Sequence, residues 1–122
     1  MAYDEPTADR VRAALAKTRA VREEKLMGGL CFLVGGNMCC SVSGKGGLLV
    51  RVGPAGMTAA LAKPHTEPMR MGRNVMTGFV RVKPGGYRTA SQLKAWIARG
   101  IECAERLPKK PRRRKAPNEE TG

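Results

Sequence analysis

Carboxylates, aromatics and histidine are all scarce in this chain of 122 residues: ten Asp and Glu stand against 23 Lys and Arg, with one Trp, two Tyr, two Phe and one His. General acid–base chemistry needs titratable groups in pairs at hydrogen-bonding distance. The carboxylates here cluster towards the termini and the helical stretches, where solvated surface is their ordinary role. His65 lies between Pro64 and Pro68 with no nucleophile or carboxylate at motif spacing, which reads as a locally bonded or solvated side chain rather than a catalyst. No apolar run approaches the roughly 18 residues of a membrane span. The stretch Met1-Ala2-Tyr3-Asp4-Glu5-Pro6 lacks the basic-then-apolar layout of a secretory leader, so a cytoplasmic protein is expected. The four cysteines, at 31, 39, 40 and 103, form no C-x-x-C pair of the zinc or redox kind, and in a cytosolic setting they are expected to be thiols. Gly28-Gly29 lacks the Lys-Ser/Thr ending of a phosphate loop, so no cofactor is signalled.

Positive charge and glycine are what the chain has in abundance. The formal charge is +13. The segment 109–115 carries six of the basic residues, and residues 1–107 hold 17 basic against 8 acidic. The part expected to fold is therefore basic in its own right, which favours encounters with polyanions without conferring sequence specificity. Solvated charge that serves solubility is the competing reading.

The apolar centre runs from Lys25 to Pro54. Gly35-Gly36 separates two apolar runs as the turn of a tight hairpin, because such a turn needs positive φ. A third strand follows across Gly44-Lys45-Gly46-Gly47. A regular ladder around the hairpin sets Val34 against Asn37, Leu33 against Met38, Phe32 against Cys39 and Cys31 against Cys40. Strand alternation then places Cys31, Leu33, Met38 and Cys40 on one face and Phe32, Val34 and Cys39 on the other. Both faces are apolar. Helices can cover one; the other predicts a second subunit, hence a homodimer. Opposed Cys31 and Cys40 would permit a crosslink or a soft-metal site, against the plainer reading of buried thiols as small hydrophobes.

Before this centre, residues 4–19 carry a helical stripe (Ala8, Val11, Ala14 or Leu15, Thr18) with Asp4 as N-cap and Pro6 in the first turn. Val21 to Met27 reads as extended. After it come a short helix over 54–63, a short strand at Met69–Met71, a turn at Gly72-Arg73-Asn74, and a strand from Met76 to Lys83 alternating Phe79, Arg81 and Lys83 against Val80 and Val82. The strongest signal is the last helix. Thr89 and Gln92 match a capping box, and Leu93, Trp96, Ile97, Gly100, Ile101, Ala104 and Leu107 form its stripe up to Pro108, with Trp96 as a core or interface anchor. The expected architecture is α+β, a domain over 1–108 in the order α-β-β-β-α-β-β-α. A disordered basic tail over 109–122 is expected to follow, its composition being too polar to order itself.

In that order the chain resembles the N-terminal domain of the TfoX/Sxy competence-regulator family. The resemblance rests on Met1 to Glu5, Lys25-Leu26-Met27-Gly28-Gly29-Leu30, Gly36-Asn37-Met38-Cys39-Cys40, Leu49 to Pro54, Gly78-Phe79-Val80 and Leu93-Lys94-Ala95-Trp96-Ile97. Leu26 and Met27 stand at the second and third places of the family's Lys-Met-Phe-Gly-Gly signature. The resemblance implies a two-layer α/β domain with an antiparallel sheet, often dimeric, associated with competence-gene regulation beside a cyclic-AMP-receptor-type activator. It implies no catalyst. The expected function is a non-enzymatic interaction module with a transcription regulator as protein partner and auxiliary, non-specific nucleic-acid contacts. The candidate contacts are Arg51, Arg70, Arg73 and Arg81, with Lys109, Lys110, Arg112, Arg113, Arg114 and Lys115. Charge alone does not separate DNA from ribosomal RNA or anionic lipid as the tail's target. The alternative is a thiol- or metal-dependent site on Cys31, Cys39 and Cys40, with His65 beside them.

Overall fold

A computed structural model describes residues 3–26 and 28–107. The basic cluster at 109–115 and the helix stop at Pro108 lie outside the described residues. Helix α1 (Glu5–Ala14) starts where expected: the Asp4 carboxylate accepts the Thr7 backbone N–H at 3.0 Å, and Pro6 occupies the first turn. It stops five residues sooner than its stripe suggested. Ala20 in the left-handed region (φ 59°) then redirects the chain into β1.

β1 (Val21–Leu26), β2 (Gly29–Val34), β3 (Asn37–Val42) and β4 (Leu48–Arg51) form an antiparallel meander. A 3₁₀ turn (Pro54–Gly56) and the short α2 (Met57–Leu61) lead to β5 (Thr66–Met71) and β6 (Asn74–Val82). β6 inserts beside β4, giving the order β1-β2-β3-β4-β6-β5. The expected α+β class with an antiparallel sheet is what the chain adopts. The extended segment after α1 proves to be a paired strand, so the sheet has one more strand than expected. After a second 3₁₀ turn (Pro84–Tyr87), α3 (Ala90–Arg106) opens with the Thr89–Gln92 capping box, both bonds at 3.0 Å.

α3 lies across β2, β3 and β4, α1 packs on α3, and α2 covers β6 and β5. Beneath them runs the core row Phe32–Cys40–Val50–Val80 and its neighbour Leu30–Val42–Leu48–Val82, each member at most 3 % exposed. Arg10 fastens α1 to the entry of α3 by donating to the carbonyls of Tyr87 (2.6 Å) and Arg88 (3.1 Å). Arg12 grips both carboxylate oxygens of Glu23 on β1 at 2.7 and 2.9 Å, which holds the Glu23 carboxyl below its usual range.

The regular register expected for the hairpin is corrected at one residue. Gly35 (φ 61°) and Gly36 (φ 85°) make the turn, and Val34–Asn37 and Leu33–Met38 pair as expected, but Phe32 pairs with Cys40 and Cys31 with Ser41. Cys39 is the extra residue of a bulge, which reverses the side-chain parity of everything beyond it. Cys40 thus faces the helices with Phe32 and Val34, and Cys31 faces away from it.

Candidate functional site

The face turned away from the helices is where chemistry-bearing side chains collect. One cross-strand row spans all six strands: Glu24, Cys31, Ser41, Leu49, Arg81, Glu67. Leu33 and Met38 lie beside it near the hairpin, and Arg51 and Phe79 form the neighbouring pair. This face is apolar at its centre and charged towards its edges, not uniformly apolar as the alternation implied. Its strongly exposed large apolar side chains, among the described residues, lie at the ends: Leu26 at 48 % and Val75, the partner of Arg70, at 44 %. Cys31 and Leu49 are already buried within the single chain.

The centre sinks into a depression of about 230 Å³ floored by Met38, Leu49, Met69, Met76 and Phe79. Three cations border it: Lys45 from the β3–β4 loop, Arg70 from β5 and Arg81 from β6. Arg81 is anchored, its Nη1 donating to Gly46 O at 2.7 Å and Ser43 Oγ at 3.2 Å, while its Nε lies 3.9 Å from Glu67. Arg51 stacks on the Phe79 ring with its Cζ 5.4 Å from the centroid and donates to Met38 O at 3.5 Å. A wider cleft opens beside this depression and shares Lys45 and Arg81 with it, adding Lys83 and Glu67.

Three of the four arginines singled out by charge, Arg51, Arg70 and Arg81, therefore share one face. Arg73 does not join them; it is exposed in the β5–β6 turn. Lys109, Lys110, Arg112, Arg113, Arg114 and Lys115 lie outside the described residues. Sequence reading misses Lys45, whose loop glycines mark only a turn, and assigns no site role to Met38, Met69 and Met76. The alternation of Phe79 and Arg81 against Val80 and Val82 was the available signal for the face.

The cysteines do not converge. Cys31 is on the open face, its thiol 3.6 Å from Ser41 Oγ. Cys39 and Cys40 are buried under α3, the Cys39 thiol lying 3.8 Å from Ile97 O. The Cys40 thiol is pushed well above its ordinary range by its hydrogen bond with Cys39 and by burial. His65 lies elsewhere, in the left-handed region (φ 65°) with its ring against Gly85. Among the described residues no group of three His, Cys, Asp or Glu is placed to hold a metal ion. Because the thiolate is the nucleophile, a thiol reagent added to native protein is expected to modify the half-exposed Cys103 first. Cys31, Cys39 and Cys40 should react only on unfolding. Fast modification of Cys39 or Cys40 in the folded protein would contradict this placement.

Among the described residues no helix is long and apolar enough to cross a membrane. No curated protein and no solved structure matches the chain. A family model, the TfoX N-terminal domain, matches residues 13–104, from the C-terminal part of α1 to the last turn of α3. With well over half of its length matched, and with the antiparallel sheet and helical layer described above, the chain belongs to the TfoX N-terminal domain family.

Proposed function

We propose that this protein is a non-enzymatic regulatory module of the cytoplasm that docks an acidic protein partner, a transcription regulator, on the open face of its sheet. Basic side chains outside that face add contacts to nucleic acid. Family membership points to a regulatory or competence-related role. The observation that carries the reading is the face itself: an apolar, methionine-rich floor bordered by Lys45, Arg70 and Arg81. Methionine surfaces adapt to varied partners, and a cationic border selects acidic ones and speeds their encounter. The burial of Cys31, Cys39 and Cys40 and the separate position of His65 favour recognition over chemistry.

A homodimer through the same face is the second reading, supported by the apolar floor alone. Two copies face to face would bring like-charged borders together, so such a dimer should tighten as salt screens the repulsion, whereas an acidic partner should be released. Sedimentation at low and high salt distinguishes them by the sign of the change.

For the nucleic-acid contacts, three or four phosphates neutralised by the chain imply that affinity for a DNA duplex falls about a hundredfold between roughly 50 and 200 mM salt. Replacing the six basic residues of 109–115 by alanine in the full chain should flatten that slope. Binding that ignores salt would remove nucleic acid from the proposal.

A further inference from the structure

We propose that the depression on the open face is a binding site for a small amphipathic carboxylate, with an apolar body of about seven to nine non-hydrogen atoms and a single anionic head. Three observations converge. The first is size: an apolar cavity of about 150 Å³ accommodates benzene, so about 230 Å³ suits a body half as large again, such as a medium-chain acyl or arylalkyl group. The floor of Met38, Leu49, Met69, Met76 and Phe79 is apolar and deformable, which fits a chain of no fixed shape.

The second is charge. Lys45, Arg70 and Arg81 line the depression, and among the described residues no carboxylate does. Two acidic residues flank it on the same row: Glu24, paired with Cys31 on the β1 side, and Glu67, which is shared between Arg81 Nε (3.9 Å) and Lys83 Nζ (3.7 Å) in the adjoining cleft. Lys45 and Arg70 have no ion-pair partner among the described residues, so their charge is available to a ligand. Arg81 is held in place by Gly46 O and Ser43 Oγ, which spares a ligand the cost of ordering it.

The third is a buried hydroxyl with only a weak partner. Ser41 is 4 % exposed and its hydroxyl lines the depression, on the same cross-strand row as Leu49 and Arg81. Its Oγ lies 3.6 Å from the Cys31 sulfur, a long contact in which either group can donate. A hydroxyl rotor held only by a long contact to sulfur can turn to a ligand carboxylate oxygen, which is the stronger acceptor.

The site shares its face with the proposed protein partner but does not depend on it, and the test contains no partner. Full-length protein carrying ¹³C-methyl methionine is titrated with octanoate, 1-octanol and octylammonium. Octanoate should shift the Met38, Met69 and Met76 methyls saturably and leave Met57 unmoved, since the Met57 sulfur lies under the strands' helical side, accepting the Gly78 N–H. Octanol and octylammonium should bind about tenfold more weakly, the worth of one charge-assisted hydrogen bond. Arg70→Gln and Lys45→Gln, both at exposed positions without internal partners, should bring octanoate down to the level of octanol. Equal affinity for the three head groups, no saturation by a few millimolar octanoate, or shifts centred on Met57 would each overturn the proposal.

Discussion

Gly100→Leu is expected to prevent folding, and Gly100→Ala to lower stability by about 1–2 kcal/mol even though alanine is the better helix former. Gly100 sits in the middle of α3 where the helix crosses β3, and it is buried. A Cβ at this position would stand 2.5 Å from the Cys39 carbonyl oxygen and 2.8 Å from the Cys39 sulfur. The first of these is backbone and cannot swing aside, so the helix must lift off the sheet. Intrinsic propensity favours alanine by about 1 kcal/mol, whereas overpacking a close-packed interior costs about 1–3 kcal/mol and more where backbone must move. Leucine adds three further carbons to the same collision. Urea denaturation followed by circular dichroism measures the effect. A Gly100→Ala midpoint above that of the parent would show that α3 does not approach Cys39 this closely.

Phe32→Ala should be the most damaging truncation of the core, at about 3–5 kcal/mol. Phe32 has no exposed surface, pairs with Cys40 across the hairpin and lies in the row that continues through Val50 and Val80 beneath the helices. Domains of this size have only about 5–15 kcal/mol of total stability. The melting temperature should accordingly fall by roughly 15–30 °C. Phe79 serves as the internal comparison, because it lies on the open face with Arg51 over its ring. Phe79→Ala should leave the protein folded with a small loss, while emptying the floor of the depression. If the two alanine variants melt alike, the assignment of the two faces is wrong.

The first of these experiments probes a feature that sequence reading could not supply, the close approach of α3 to β3. The helical stripe of α3, its capping box, the glycine turn at 35–36 and the alternation of Phe79 and Arg81 against Val80 and Val82 are local patterns. Each depends on neighbours within a few residues, and each appears in the fold as expected. Cys40 was assigned to the wrong face because the bulge at Cys39 leaves no local mark. The bulge sits where α3 comes nearest to β3, a Cβ on Gly100 standing 2.5 Å from the Cys39 carbonyl oxygen, a contact between segments far apart in sequence. The candidate site was legible in part for the same reason. Arginines can be selected by charge, but only strand pairing reveals that Arg51, Arg70 and Arg81 share a face and Arg73 does not.

By itself the sequence determined the basic character, the helix and turn positions, and the resemblance that the family match bears out, since charge, periodicity and capping are properties of short stretches. Strand order, the parity reversal in β3, and the meeting of Lys45 with three methionines from β3, β5 and β6 were decided by the tertiary structure. Sheet register is a long-range quantity: one inserted residue turns every later side chain to the other face, and where it sits is defined only by the pairing of one strand with another.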